Sequence, residues 1–171
     1  EGVVAIRRPY KLARDLSPMA GVIEHVLGDG SGLNISDATI VVLLQPTSPL
    51  RLPEDVQAGL GLLVTMGADL AMGVTDAQSS VLKYGRVEDG RFVPISRPEY
   101  CFANRQALPA VVRPNGAIYA FRAGWFRQNG GFETSNIAAV PMPAERSVDV
   151  DSIEDFERAE ALLVQRREGA A

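Results

Sequence analysis

The chain has 171 residues, 46% of them hydrophobic and 22% charged, which suits one globular domain with a real core. A net charge of −4 excludes the broad basic surface that nucleic acid requires, so any phosphate contact must be local. A single cysteine, Cys101, excludes an intrachain disulfide framework, and no apolar run reaches the ~18 residues of a membrane span. No signal peptide is visible, so the expectation is a cytoplasmic protein without a membrane partner. The one histidine, His25, weakens any scheme that needs a histidine base or a histidine-rich metal site.

In chain order, Gly2–Arg8 is a short β-branched run closed by Pro9 and predicts a strand. Ser17 followed by Pro18 predicts a capped helix start, and Met19, Val22, Ile23, Val26 and Leu27 follow at helical spacing. His25 falls in that helix, on its polar side. Gly28–Asp37 is a polar, glycine-bearing loop. Ile40–Leu44 is a continuous apolar run, the pattern of a strand covered on both faces inside a parallel sheet. Gln45-Pro46-Thr47-Ser48-Pro49 ends it, since two prolines forbid further pairing. A polar loop at the carboxyl end of such a strand is where open α/β sheets place ligands, although a solvated turn has the same local pattern. Pro53 opens a helix through Met66, weakened by Gly59 and Gly61, and Ala68–Val74 returns as a strand. The order so far is βαβαβ with parallel crossovers.

Beyond Thr75 the pattern changes. Val81–Val87 and Arg91–Ile95 flank Asp89-Gly90 and predict a β-hairpin. Ser96–Pro109 is irregular, Arg113-Pro114-Asn115-Gly116 reads as a turn, and Ala117–Phe121 as a strand. Residues 83–122 therefore read as an antiparallel insertion, a lid or a subunit interface, in a core formed by 1–82 and 123–171. Trp125–Gly131 is a short helix or loop, Ile137–Met142 a strand, Val148–Asp151 an extended piece and Ser152–Arg166 an amphipathic helix. Gly169–Ala171 reads as a frayed end.

Asp149 and Asp151 are the sharpest chemical pair. Residues two apart in an extended chain face one side. Two carboxylates there suit a hard cation such as Mg²⁺ and repel each other without one. Asp151 with Glu154 also has the form of a helix N-cap and capping box, and one carboxylate can serve both roles. Asp155, in the first turn, is structural. Arg8, Arg51, Lys83, Arg97, Arg105 and Arg113 are surface groups unless a carboxylate or phosphate must be gripped. Of these, Arg8 ends a predicted strand, a good address for phosphate. The Gln45 carboxamide can donate and accept towards a sugar, or simply hold its own turn. Tyr119, Phe121, Trp125 and Phe126 read as core, with a subunit interface as the alternative. Cys101 has no activating histidine nearby in sequence and reads as inert.

Several stretches resemble one family in the same order: RRPYKLARDLS (7–17), LLQPTSPLR (43–51), Lys83, RQALP (105–109), RPNGAIY (113–119) and VDVDSIEDF (148–156). Together they are similar to the acylneuraminate cytidylyltransferases, the CMP-sialic acid synthetases. The resemblance implies a doubly wound, mostly parallel α/β sheet of nucleotide-diphospho-sugar transferase type, with an antiparallel dimerisation insertion. It implies transfer of CMP from CTP to an acidic nine-carbon sugar with release of pyrophosphate, in a homodimer. It implies that Arg8 and Ser17 lie on the nucleotide side and that Gln45, Lys83 and Arg105 bind the sugar. Asn115 and Tyr119 would lie near the sugar and the dimer contact, and Asp149 and Asp151 would hold Mg²⁺ and be the catalytic acids. The family's opening strand and glycine-rich, basic CTP loop have no counterpart here, which predicts weak or no turnover by these residues alone. Two alternatives remain. One is a cytidylyltransferase for the eight-carbon acid of lipopolysaccharide, which RPNGAIY and PTSPLR fit less well. The other is a non-catalytic, dimerising or binding module of the same fold.

Overall fold

The computed structural model describes residues 2–14, 16–28 and 31–169. Asp15 of the first motif, Asp29 and Gly30 of the following loop, and Ala170 and Ala171 of the predicted frayed end lie outside them. The regular elements are α1 (Met19–Leu27), β1 (Ile40–Leu43), α2 (Pro53–Thr65), β2 (Leu70–Ala77), β3 (Gly85–Glu88) and β4 (Arg91–Pro94). They continue with β5 (Val111–Arg122), α3 (Ala123–Asn129), β6 (Ile137–Pro141) and α4 (Ile153–Gly169). One sheet has the order β1-β5-β2-β6, and β3 and β4 form a separate antiparallel hairpin. The architecture is the expected α/β sheet with helices and an antiparallel hairpin.

Two compact units divide the chain. The first comprises 1–46, 52–73 and 118–140, and the second 47–51, 74–117 and 141–171. In the first unit β1 pairs antiparallel with β5, Val41 opposite Phe121 and Leu43 opposite Tyr119. The alternation of side chains explains the continuous apolar run of β1. Val41 and Leu43 pack on a cluster of Ile23, Leu27, Leu70, Phe121 and Phe126. Ile40 and Val42 pack on the opposite cluster, Leu63, Ala71, Ala120, Ala138 and Val140. The aromatic group is core, as its apolar pattern indicates: Phe121 and Phe126 are fully buried with centroids 5.1 Å apart. Phe132 joins them, 5.0 Å from Phe126.

In the second unit, Leu50, Val148 and Ala159 form a buried cluster with Val150, Leu162 and Leu163 against it. The hairpin turn takes the expected geometry, with φ of 50° at Asp89 and 75° at Gly90, values that a two-residue turn between twisted strands demands.

Four local expectations are corrected. No strand forms at Gly2–Arg8, where Val3 is 91% exposed; β-branched residues gain from pairing only against a neighbour and a buried face. The run at Ile40–Leu43 is covered on both faces but stands at the edge of the sheet, its described partner antiparallel rather than parallel. Ser17 does not cap α1, whose N-cap is Pro18; its hydroxyl accepts from the Arg14 N–H at 3.1 Å and donates to the Lys11 carbonyl at 3.2 Å. Arg113–Gly116 is not a turn: β5 runs straight through it, with φ of 73° at Gly116. A strand tolerates that combination as an irregular, bulge-like step.

Candidate active site

Asp149 and Asp151 line the same cavity, and the residues that alternate with them are apolar. Val148 and Val150 belong to the Leu50 cluster, which turns the intervening acids the other way. Both carboxylates line a cavity of about 310 Å³ with Thr75, Asp76, Arg113, Ser147, Asp155 and Arg158. Four aspartates thus face two arginines, an excess of negative charge that favours a cation at its centre. Asp149 Oδ1 is buried and is the side-chain oxygen or nitrogen without a hydrogen-bond partner among the described residues that are so buried. Such an atom is costly unless something binds it. Two carboxylates, one with an orphaned oxygen, fit a hard divalent cation that keeps part of its water shell. Among the described residues there is no group of three or more acidic, histidine or cysteine side chains placed to hold a metal.

The capping expectation shifts by one residue. Ser152, not Asp151, forms the reciprocal cap of α4: the Asp155 N–H donates to Ser152 Oγ at 3.2 Å, and that hydroxyl donates to Asp155 Oδ2 at 2.9 Å. Asp155 Oδ2 also accepts from the backbone N–H groups of Ser152 and Asp151, at 3.1 and 3.3 Å. Asp151 contributes only its backbone to the cap, so its carboxylate is available to the cavity. Asp155 is structural, as expected, and its pKa is held below the ordinary carboxylate value. The main cause is the Ser152 hydroxyl; the two backbone N–H groups and the charge of Arg158 act the same way, against partial desolvation.

The segment that carries the acids is braced from the other motifs. The Val150 N–H donates to the Thr47 carbonyl at 2.8 Å. Ser48 is fully buried, and its hydroxyl donates to the Asn115 carbonyl at 3.2 Å. Asn115, only 1% exposed, donates from Nδ2 to Ser147 Oγ at 2.9 Å and to Met142 Sδ at 3.2 Å. Its Oδ1 accepts from the Ala117 N–H at 3.1 Å. Ser147 passes the link on by donating to the Pro143 carbonyl at 2.9 Å. Arg51 donates to the carbonyls of Ser48 and Ala117, and burial lowers its pKa. Arg166 of α4 donates to the Leu50 carbonyl at 3.1 Å. The amide of Asn115 is thus taken up by protein partners.

The other candidates lie as follows. Gln45 and Tyr119 share a cavity of the first unit, lined otherwise by apolar side chains including Leu43, Met72 and Phe132. Lys83 and Arg105 belong to short 3-10 turns of the second unit. Lys83 Nζ donates to the Ala103 carbonyl, whereas Arg105 is exposed. Arg8 is exposed in a segment without regular structure, and Ser17 closes the loop described above. Asp76 and Arg158 were not singled out by the sequence pattern. Asp76 could have been, since it stands near the carboxyl end of β2, where α/β sheets collect ligand-binding groups. Arg158 carried no signal beyond helical spacing from Asp155.

Known proteins bear on this arrangement. No family model matches the chain. It is 27% identical over 165 residues to an N-acylneuraminate cytidylyltransferase of Streptococcus agalactiae serotype III (strain NEM316), covering 91% of this chain and 36% of the relative. The chain thus spans about a third of that relative's length. It is 24% identical over 166 residues to the post-translational flagellin modification protein B of Campylobacter coli, covering 96% of this chain and 70% of that one. A solved structure of CMP:2-keto-3-deoxy-manno-octonic acid synthetase complexed with CTP superposes with a TM-score of 0.58 at 18% identity. That match covers 89% of this chain and 70% of the other, and shows a shared fold. The motifs in one order and relatives that match nearly the whole chain make this protein similar to the N-acylneuraminate cytidylyltransferases, and it shares the fold of the CMP:2-keto-3-deoxy-manno-octonic acid synthetase.

Proposed function

We propose that this chain takes part in cytidylyl transfer from CTP to an acidic nonulosonic sugar, N-acetylneuraminate or a relative. In that reaction the sugar's anomeric hydroxyl oxygen attacks the α-phosphorus. The bond to pyrophosphate breaks, and the hydroxyl proton is lost. The observation that carries the reading is the Asp149–Asp151 pair, opening on one cavity with a buried oxygen that nothing in the described protein satisfies. The two aspartates would hold Mg²⁺, with waters and phosphate oxygens completing its shell. When bound, the ion supplies positive charge to the triphosphate and to the leaving pyrophosphate. Arg113 and Arg158, on the same cavity, add cationic donors for phosphate oxygens.

On the sugar side, the Gln45 carboxamide and the Tyr119 hydroxyl supply the polar contacts of an otherwise apolar cavity. Lys83 and Arg105 are the cations for the sugar carboxylate, and Arg8 and Ser17 belong with the nucleotide. Asn115 supports the acid-bearing segment rather than the sugar. The chain acts as a homodimer joined through the 83–122 insertion. These assignments rest on the order of the motifs.

The test is release of pyrophosphate from CTP with Mg²⁺ and either N-acetylneuraminate or 3-deoxy-manno-octulosonate, alongside calorimetry with CTP. Binding of CTP and a preference for the nine-carbon acid are expected. Turnover with the eight-carbon acid alone would move the substrate, and absence of CTP binding would favour a non-catalytic module. Arg105→Glu should weaken use of the sugar at least tenfold while leaving CTP binding within about twofold.

A further inference from the structure

The PTSPLR motif reads as a ligand loop, yet two of its side chains turn inward. Ser48 and Leu50 are fully buried, and Ser48 spends its hydroxyl on the Asn115 carbonyl. The acids need such a support. Two carboxylates in one cavity repel each other when no cation is present, and an extended segment has no hydrogen-bond ladder of its own to resist that. Besides their apolar packing and local bonds, residues 147–150 are held by hydrogen bonds from two distant parts of the sequence: the Thr47 carbonyl on the Val150 N–H, and Asn115 on Ser147. Buried polar groups joined in this way cost more than apolar packing unless every member is satisfied, and satisfied they fix one arrangement. In this chain each described member is satisfied. The atom left over is Asp149 Oδ1, on the residue between the two braced positions.

We infer that the Ser48–Asn115–Ser147 chain, together with the Thr47 carbonyl, presets Asp149 and Asp151 for a divalent cation, which makes these residues positioning residues of the metal site. The inference rests on the metal role proposed above for the two aspartates. The brace holds the segment against the mutual repulsion of the acids, so the ion meets a formed site instead of organising one. Affinity therefore depends on buried groups that never touch the ion.

The probe is Mn²⁺ alone, followed by the electron paramagnetic resonance of the free ion, on the whole chain. Asp149→Asn should weaken binding more than tenfold; unchanged binding in that variant would overturn the underlying metal assignment. Ser48→Ala and Ser147→Ala should each weaken Mn²⁺ binding about three- to tenfold, the range of a lost supporting contact. Leu63→Ala loosens a buried apolar cluster of the first unit that has no part in the brace. It should lower the melting temperature and leave Mn²⁺ affinity unchanged, which separates positioning from general stability. Hydrogen exchange of the wild type needs no variant: the Val150 amide should be protected before any metal is added. Wild-type Mn²⁺ affinity in folded Ser48→Ala and Ser147→Ala, beside a loss in Asp149→Asn, would overturn the positioning inference alone. So would a Val150 amide that is unprotected without metal.

Discussion

The acids of the candidate site are separated by what their neighbours do. Asp149 has a buried oxygen with no partner among the described residues, and Asp151 gives only its backbone to the helix start. Asp155, four residues further on, is saturated with donors. Those donors favour its ionised form, so its folded pKa lies below its unfolded one. The sign follows from proton linkage: a depressed carboxylate adds stability above its unfolded pKa and loses it as pH falls through the lower folded value. Urea unfolding of wild type and Asp155→Asn should therefore differ at neutral pH and converge as pH drops below about 4. A gap that widened on acidification would contradict the cap. The sequence pattern indicated a cap of Asp151 with Glu154, and the structure forms one of Ser152 with Asp155 instead. Ser152 prevails because a hydroxyl accepts the Asp155 N–H and donates to its carboxylate at once, whereas an ionised aspartate can only accept.

At the scale of elements, β5 is the instructive case. Pro114 and Asn115-Gly116 are turn signals, yet the strand continues to Arg122. The Asn115 side chain accepts the Ala117 N–H, which bridges the irregular step, and Gly116 adopts a φ of 73°. A side chain at that φ is strained by roughly 1–2 kcal/mol. Gly116→Ala should lower the stability measured in urea by about that amount, and should loosen Asn115 with it. The strand β1 teaches a related point. Its apolar run reported coverage on both faces, which the two clusters supply. Strand direction and edge position depend on which partner lies alongside, and that partner, β5, begins more than sixty residues later.

For the whole molecule, the candidate residues fall into two groups. Gln45 and Tyr119 belong to the first unit, and Asp149, Asp151, Lys83 and Arg105 to the second. Among the described residues no helix is long and apolar enough to cross a membrane. The hairpin of the second unit leaves Val87 at 77% and Phe92 at 57% exposure, apolar surface of the kind that associates. If the proposed homodimer forms through this insertion, sedimentation should show a dimer. Phe92→Asp should then shift it towards monomer, with folding and Mn²⁺ binding intact. A dimer that survives Phe92→Asp would place the contact elsewhere.

Sequence alone determined whatever depends on short-range periodicity. Alternation put Asp149 and Asp151 on one side, apolar spacing marked α1, α2 and α4, and Asp89-Gly90 marked the hairpin. The order of motifs carried the resemblance to the acylneuraminate cytidylyltransferases. Tertiary structure decided the rest: that Gly2–Arg8 finds no sheet partner, that β1 stands at an edge, and that Ser48 donates to the Asn115 carbonyl and Asn115 to the Ser147 hydroxyl. The reason is the range of the forces involved. Backbone geometry repeats every two or four residues and can be read locally, whereas a buried polar atom takes its role from a partner that the fold brings to it from 67 residues away.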